Sequence, residues 1–325
     1  MEKWIADHVA EAYRAPDSEV WTGRTTAPEQ GPQYWYQNVV LKDWSEGIME
    51  GADFGIIGYA CEEGVRRNQG RLGAAAGAGS VRERIARLAW HHDGKTVVDY
   101  GDVVCAGEAM EAAQAQLARM VSTLLRAGQT PIVLGGGHDL AYGHYSGIRA
   151  ATAGKKVGII NFDAHFDLRP VTDRPNSGTP FYQILSEGPA DYFALGIQRQ
   201  ANTSELFAIA ERYGAEYVLA EHCRTYQLPT IIRELDFFLE RNDHVYLSID
   251  LDGFSSAYAP GVSAPSPFGF SPAFVLAVLD HLLASGKVIS VDLAEMNPLY
   301  DVDGCTARLA AGLVDASVKL KAISV

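Results

Sequence analysis

No run of apolar residues in this 325-residue chain reaches the roughly 18 to 20 that a membrane-spanning helix needs. The opening stretch, MEKWIADHVAEAYRAP, interleaves charges and holds no apolar segment of signal-peptide length, so the chain reads as soluble and cytoplasmic. Basic charge is scarce: 27 Lys and Arg stand against 40 Asp and Glu, a net charge of −13. A surface of that sign repels phosphate backbones and anionic lipid, which argues against nucleic-acid or membrane partners. It leaves room for local basic clusters that hold a small acid. Cysteine is sparse too. Cys61, Cys105, Cys223 and Cys305 are far apart and form no CxxC pair, which argues against a zinc ribbon or a dithiol redox motif and for reduced, mostly buried thiols. Internal repeats, low-complexity tracts and Pro/Ser-rich linkers are missing as well. We therefore expect one domain over residues 1–325, with about the first 50 as an N-terminal extension.

Apolar residues make up 47% of the chain, enough for a large core. Short apolar runs alternate with amphipathic stretches, the pattern of a mainly parallel sheet flanked by helices. The runs read as strands are 54–60, 131–137, 156–164, 192–197, 216–220, 244–252 and 287–296. Helices are expected over 80–90, 107–128, 202–214, 230–242, 271–286 and roughly 304–320. The fold class is thus α/β, with three α/β/α layers.

Polar residues of one kind gather where these strands end. GGGHD (135–139) follows one strand, DAHFD (163–167) another and SIDLD (248–252) a third. In open α/β sheets separate strand ends converge on a site beyond their carboxyl termini. In extended chain, residues i, i+2 and i+4 project to one side, so Asp163, His165 and Asp167 share a target, and Asp250 and Asp252 are spaced alike. His138 adds a second imidazole. Four carboxylates and two imidazoles in one cavity repel strongly unless cations sit among them. The inventory suits two divalent ions, and a carboxylate-rich set without thiolate favours manganese over zinc. Such a pair lowers the pKa of a shared water, which makes hydrolysis the default chemistry. Each motif alone is weak, since a lone Asp at a strand end is often a helix cap. Burying three such groups after one apolar strand is costly without a partner.

GGGHD, DAHFD and SIDLD, in this order and spacing, resemble the metal motifs of the ureohydrolase family: arginases, agmatinases and formimidoylglutamases. The resemblance runs from about residue 54 to 320. EEGVRRNQGRLGAAAG (62–77), SGTPFYQI (177–184), LGIQ (195–198), SIDLDGFSSAYAPGVSAP (248–265) and DLAEMNP (292–298) look most like the formimidoylglutamase branch. That resemblance implies an arginase-like fold and hydrolysis of N-formimidoyl-L-glutamate to L-glutamate and formamide, in histidine degradation. It also implies two manganese ions per subunit and a homo-oligomer. Residue by residue, it places one ion on His138, Asp163, Asp167 and Asp250, and the other on Asp163, His165, Asp250 and Asp252. Asp167 would orient the bridging hydroxide, and Glu295 would grip the amidinium of the substrate. Three departures from arginase stand out. Phe181 replaces a histidine, Ser255 replaces a third acid after DxD, and Asp139 stands where Ser or Glu is usual. His144 is a candidate proton donor, with a structural role as its alternative.

Formimidoylglutamate carries two carboxylates and no free amine, so its pocket should offer cations. Arg169 and Arg199 fall where arginases place Asn and acids that read their substrate, and that exchange would disfavour agmatine or arginine. Arg66, Arg67, Asn68 and Arg71 are further candidates for binding, and Ser177 offers a hydroxyl. Two other readings stand: an agmatinase or another guanidino-acid ureohydrolase, and a metal-binding interaction protein of the same fold without activity.

Overall fold

The structure, a computed structural model, describes residues 12–319. Ten strands form one sheet: β1 (Tyr13–Arg14), β2 (Val40–Leu41), β3 (Phe54–Ala60), β4 (Val97–Val104), β5 (Thr130–Gly135), β6 (Val157–Phe162), β7 (Asp191–Ile197), β8 (Glu216–Leu219), β9 (His244–Asp250) and β10 (Val288–Ala294). Their order is β1-β4-β3-β5-β10-β9-β6-β7-β8, with β2 also pairing β4. Every pairing is parallel except that of β1 with β4. β3, β5, β6 and β10 are buried along their whole length, which is why they read as unbroken apolar runs rather than alternating ones.

Nine α-helices are described: α1 (Glu63–Arg67), α2 (Gly77–Ile85), α3 (Met110–Arg126), α4 (Leu140–Ala151), α5 (Pro180–Glu187), α6 (Ser204–Arg212), α7 (Leu228–Glu240), α8 (Pro272–Ala284) and α9 (Cys305–Ser317). They sort onto the two faces of the sheet through two separate cores. One core takes Val81 from α2, Phe238 from α7, Val278 from α8 and Val314 from α9. The other takes Leu117 from α3, Tyr145 from α4, Phe181 from α5 and Ile209 from α6. The result is three layers, α/β/α, as the alternation of runs implies.

Six described strands and α-helices lie outside the expected ones, β1, β2, β4, α1, α4 and α5, and the structure explains the last two and β4. β4, VVDYGDVV, carries two aspartates that make it read as a loop. Both are buried because Arg82 of α2 reaches Asp99 at 2.8 Å and also pairs with Asp102, while Trp21 Nε1 donates to Asp99 at 2.7 Å. α4, LAYGHYSGIRAA, is interrupted by two glycines that weaken any helical reading. There they serve packing: a methyl group on Gly147 would lie 2.5 Å from the carbonyl oxygen of Ala118, so only glycine lets α4 lie this close to α3. α5 begins at Pro180 inside SGTPFYQI, where proline suits the first turn.

The stretch read as an N-terminal extension is tied to the sheet as far as it is described. β1 pairs with β4, and Trp35 is fully buried, its indole N–H bonded to Asp315 of α9 at 2.8 Å. Residues 1–11 and 320–325 lie outside the described residues, and with them the last residue of the helix expected to 320. Among the described residues no helix is long and apolar enough to cross a membrane. All four cysteines are free; Cys61 and Cys223 are buried, Cys105 half-buried and Cys305 exposed.

Candidate metal centre and active site

The chain fills the sheet from both sides before closing its middle. β5 and β6 are consecutive in sequence, yet β10 and β9 lie between them. The carboxyl ends of these four neighbours bring His138, Glu295, Asp250 and Asp163 together, at the kind of crevice where α/β sheets bind ligands. The glycines of GGGHD permit it. A methyl group on Gly136 would stand 2.0 Å from the carbonyl oxygen of Cys61, so the loop lies directly on the end of β3.

Backbone and side chains then fix each group. Asp163 accepts from the amide of His165 at 2.7 Å and from Asn161 Nδ2 at 3.0 Å. Asp250 accepts from the amide of Asp252 at 2.8 Å, and Glu295 from that of His138 at 2.9 Å. Asn202 braces DAHFD, accepting from the amide of Phe166 at 3.0 Å and donating to Ala164 at 2.9 Å. Asp167 and Glu295 adopt left-handed backbone conformations, φ 49° and 65°, that non-glycine residues rarely hold without a reason. In both, the turn aims the carboxylate back into the cavity.

Around Nδ1 of His138 lie carboxylate oxygens of Asp250 at 2.9 Å, Asp167 at 3.0 Å and Asp163 at 3.3 Å. Nδ1 of His165 lies 3.4 Å from Asp252 and 3.5 Å from Asp163. Ligand atoms sharing an octahedral ion at about 2.1 Å are about 3 Å apart, so both groups fit an ion each, with Asp163 common to the two. Nδ1 of His138 and Oδ1 of Asp252 are buried and make no hydrogen bond, as atoms reserved for an ion would be. The donor set, oxygen-rich with two imidazoles, suits manganese.

Burial, joined by the charge of Asp250 on Asp252 and Glu295, pushes those two carboxyls well above their usual range. Burial and Asp163 raise Asp167 to about 6. Burial alone would lower the imidazoles, but the carboxylates around them prevail and raise both, Asp250 foremost at His138 and Asp252 at His165. A cluster so loaded with negative charge is a trap for divalent cations.

A second layer of contacts orients His138. Its Nε2 lies 2.9 Å from Ser248 Oγ, whose proton goes to Asp292 at 2.7 Å. Ser248 therefore accepts from Nε2–H, which makes Nδ1 the nitrogen that an ion could take. Asp292 also accepts from Tyr246 Oη, and it lies 2.6 Å from Nδ1 of His144. His144 is fully buried, its other nitrogen lies against Ser290 Oγ, and it does not line the cavity. Phe181 is likewise buried and packs edge-on against the ring of His138, centroids 5.3 Å apart. Asp139, also buried, accepts from Tyr59 Oη at 2.7 Å.

The cavity above the cluster measures about 320 Å³. His138, His165, Asp167, Asp250, Asp252 and Glu295 line its floor, and Asn68, Arg71, Arg169 and Ser177 contribute to its walls. Arg169 donates to Asn68 at 2.6 Å, and Asn68 donates to Ser177 at 3.0 Å, so these three form one chain. The guanidinium of Arg71 is engaged with the carbonyls of Val262 and Ser263 and lies over the ring of Tyr300. Arg66 and Arg67 turn away from the cavity because Glu63, three and four residues back on α1, captures both at 2.6 and 2.8 Å. Arg199 does not join this set either. Gln198 turns inward to Ser266, and the turn that follows carries Arg199 into a neighbouring pocket with Arg224.

A model of the arginase family matches residues 52–318. The chain belongs to the arginase family. It is similar to formimidoylglutamases of Geobacillus thermodenitrificans, 46% identical over 306 residues (92% of this chain, 94% of that protein), and of Aeromonas hydrophila, 44% identical over 309 residues (93% and 98%). Among solved structures, a Trypanosoma cruzi formiminoglutamase with manganese superposes with TM-score 0.72 at 26% identity, covering 82% of this chain and 92% of that one. A formimidoylglutamase of Bacillus subtilis shares the fold, with TM-score 0.76 at 22% identity over 83% and 88% of the two chains. The family match starts at residue 52, next to the start of β3, so it leaves out β1 and β2.

Site residues that sequence reasoning overlooks are those that hold others. Ser248 sits two residues before Asp250 on the same strand, and Asp292 three before Glu295. Period-two spacing flags Ser248, but nothing marks a buried serine as a histidine's partner.

Proposed function

We propose that this chain is a binuclear manganese hydrolase that cleaves N-formimidoyl-L-glutamate to L-glutamate and formamide, a step of histidine degradation. The observation that carries the reading is one cavity in which two ion-sized groups of ligands share Asp163 beneath a wall bearing Arg169. His138, Asp163, Asp167 and Asp250 would hold one ion, and Asp163, His165, Asp250 and Asp252 the other. When bound, the two ions supply Lewis acidity and a water activated for attack near neutral pH.

The chain's own groups do the rest. The Asp167 carboxylate accepts a hydrogen bond from the attacking water and directs it at the amidine carbon. The Glu295 carboxylate, already fixed by the amide of His138, accepts from the amidinium N–H of the substrate. Arg169, with Asn68 and Ser177 behind it, receives a substrate carboxylate. Arg71 acts by fixing the backbone of Val262 and Ser263 at the cavity wall. Arg199 stands outside this contact set. A cytoplasmic setting, a homo-oligomer and two manganese ions per subunit belong to the same reading, supported by the likeness to bacterial formimidoylglutamases and to a manganese-bound relative.

The test is to assay the manganese-loaded protein on formimidoylglutamate, agmatine and arginine side by side. Formamide release from the first, with no urea from the others, is the expected result. Urea from agmatine, or bound ions without turnover of any of the three, would overturn the proposal.

A further inference from the structure

We propose that Cys61 and Cys105 form an oxidisable thiol pair: a site at which a small-molecule disulfide such as glutathione disulfide is reduced and an intramolecular disulfide is left in the protein. The two are far apart in sequence, and the sheet brings them together. β3 and β4 run parallel with Ala60 opposite Val104, and the two cysteines are the next residues on each strand. The amide of Cys105 bonds the carbonyl of Ala60 at 3.2 Å, so the chains are still side by side there. Neighbouring strands lie about 4.8 Å apart, within the Cα separations of about 4.4 to 6.8 Å that a disulfide spans. Both cysteines line one cavity of about 310 Å³, with Glu62, Glu63 and Arg66 among its other walls. The Cys105 thiol donates to the Gly107 carbonyl at 3.5 Å and the Cys61 thiol points to Asp139 at 3.9 Å, and each thiol influences the acidity of the other.

The pair is asymmetric in the way such chemistry needs. Cys105 is half-buried and reachable from the cavity, while Cys61 is fully buried. Cys61 holds the Cys105 thiol below its usual value against burial and the charges of Asp139 and Glu63, whereas Cys105 and burial together raise that of Cys61. Cys105 is therefore the attacking thiolate and Cys61 the resolving group. The Cys105 thiolate attacks one sulfur of glutathione disulfide, a sulfur–sulfur bond forms, and one glutathione thiolate leaves. Cys61 then attacks the Cys105 sulfur, and the second glutathione leaves as its thiolate and takes up the Cys61 proton. Two protein thiols are oxidised and one glutathione disulfide is reduced to two glutathione molecules. The bond lies beside the metal loop, because the carbonyl of Cys61 accepts the amide of Gly137 at 3.0 Å.

The experiment uses the full-length, manganese-loaded protein incubated with glutathione disulfide. Thiol titration of the unfolded product should find Cys61 and Cys105 both lost, apart from any glutathione carried by the exposed Cys305. Peptide mapping should find Cys61 linked to Cys105, and dithiothreitol should restore both thiols. A Cys61→Ser variant should stop at the first step and keep glutathione on Cys105. The wild-type mapping needs no variant to fold, so it decides by itself. Wild-type protein in which both thiols stay free, or in which Cys105 carries glutathione with no link to Cys61, overturns the proposal.

Discussion

Ser248→Ala isolates the contact that sets the tautomer of His138. The hydroxyl accepts from Nε2–H at 2.9 Å and donates to Asp292 at 2.7 Å, so its removal leaves two buried polar groups each one partner short. Asp292 keeps Tyr246 and His144, whereas the imidazole N–H keeps nothing on that side. A buried group stripped of its partner costs about 1–3 kcal/mol, which sets the expected loss of folding stability. The larger effect falls on metal. Without an acceptor at Nε2, the proton is free to sit on Nδ1, where Asp250 waits at 2.9 Å, and that tautomer blocks the ligand atom. Losing the partner of a ligating histidine typically weakens metal affinity about 10- to 100-fold, or about 1.4–2.8 kcal/mol. Calorimetric titration of the metal-free variant with manganese should show one site weakened by that amount and the other, on His165, within about a factor of three of wild type. Two sites of unchanged affinity would refute the assignment of Nδ1 as a ligand atom held in place by Ser248.

Asp163→Ala removes the group shared by both ligand clusters and should abolish turnover with loss of at least one ion; metal analysis that finds two ions and near-normal rates would contradict the shared role. Arg169→Ala, at an exposed side chain, should lower kcat/KM for formimidoylglutamate by roughly 10- to 150-fold with both ions retained, as expected for loss of a charge-assisted pair of about 1.5–3 kcal/mol. An equal loss on analogues lacking either carboxylate would exclude a carboxylate contact. Acid stability should report Asp102. Burial would raise this carboxyl, but Arg82 and Arg14 prevail and hold it below its usual value. Its contribution is therefore present above the unfolded value of about 3.9 and lost as the pH falls through the lower folded one. Asp102→Asn should flatten the stability–pH slope below about pH 4 by up to about 1.4 kcal/mol per pH unit. Superimposable slopes for the two proteins would show that the carboxylate is not held low.

What was legible in the sequence follows physical cost. Three ionisable groups behind an apolar strand are too expensive to be incidental, so Asp163, His165 and Asp167 announce themselves, and the structure brings them together with His138, Asp250 and Asp252. The strands of the sheet interior are legible because burial on both faces demands continuous apolar runs. β4 is not, since its two aspartates make sense only once Arg82 and Trp21, distant in sequence, are seen against them. Arginine roles are the least legible. A guanidinium on a flexible stem goes to the nearest acid, and the i,i+3 and i,i+4 geometry of a short helix gave Arg66 and Arg67 to Glu63. Ser248 and Asp292 escape notice because common residue types act there only through position.

The strand order also governs how the molecule is made. β9 and β10 are the last strands to be synthesised, yet they are the ones that sit between β5 and β6. A nascent chain that has reached α7 thus holds two half-sheets, one ending on the open edge of β5 and the other on that of β6. Such edges are templates for intermolecular pairing, and contacts between segments so far apart in sequence form slowly. His138 rides on one half, Asp163 on the other, and Asp250 on a strand not yet made. The candidate metal centre is in this way completed only when β9 is in place, so binding of an ion there would report a finished fold instead of guiding an early one.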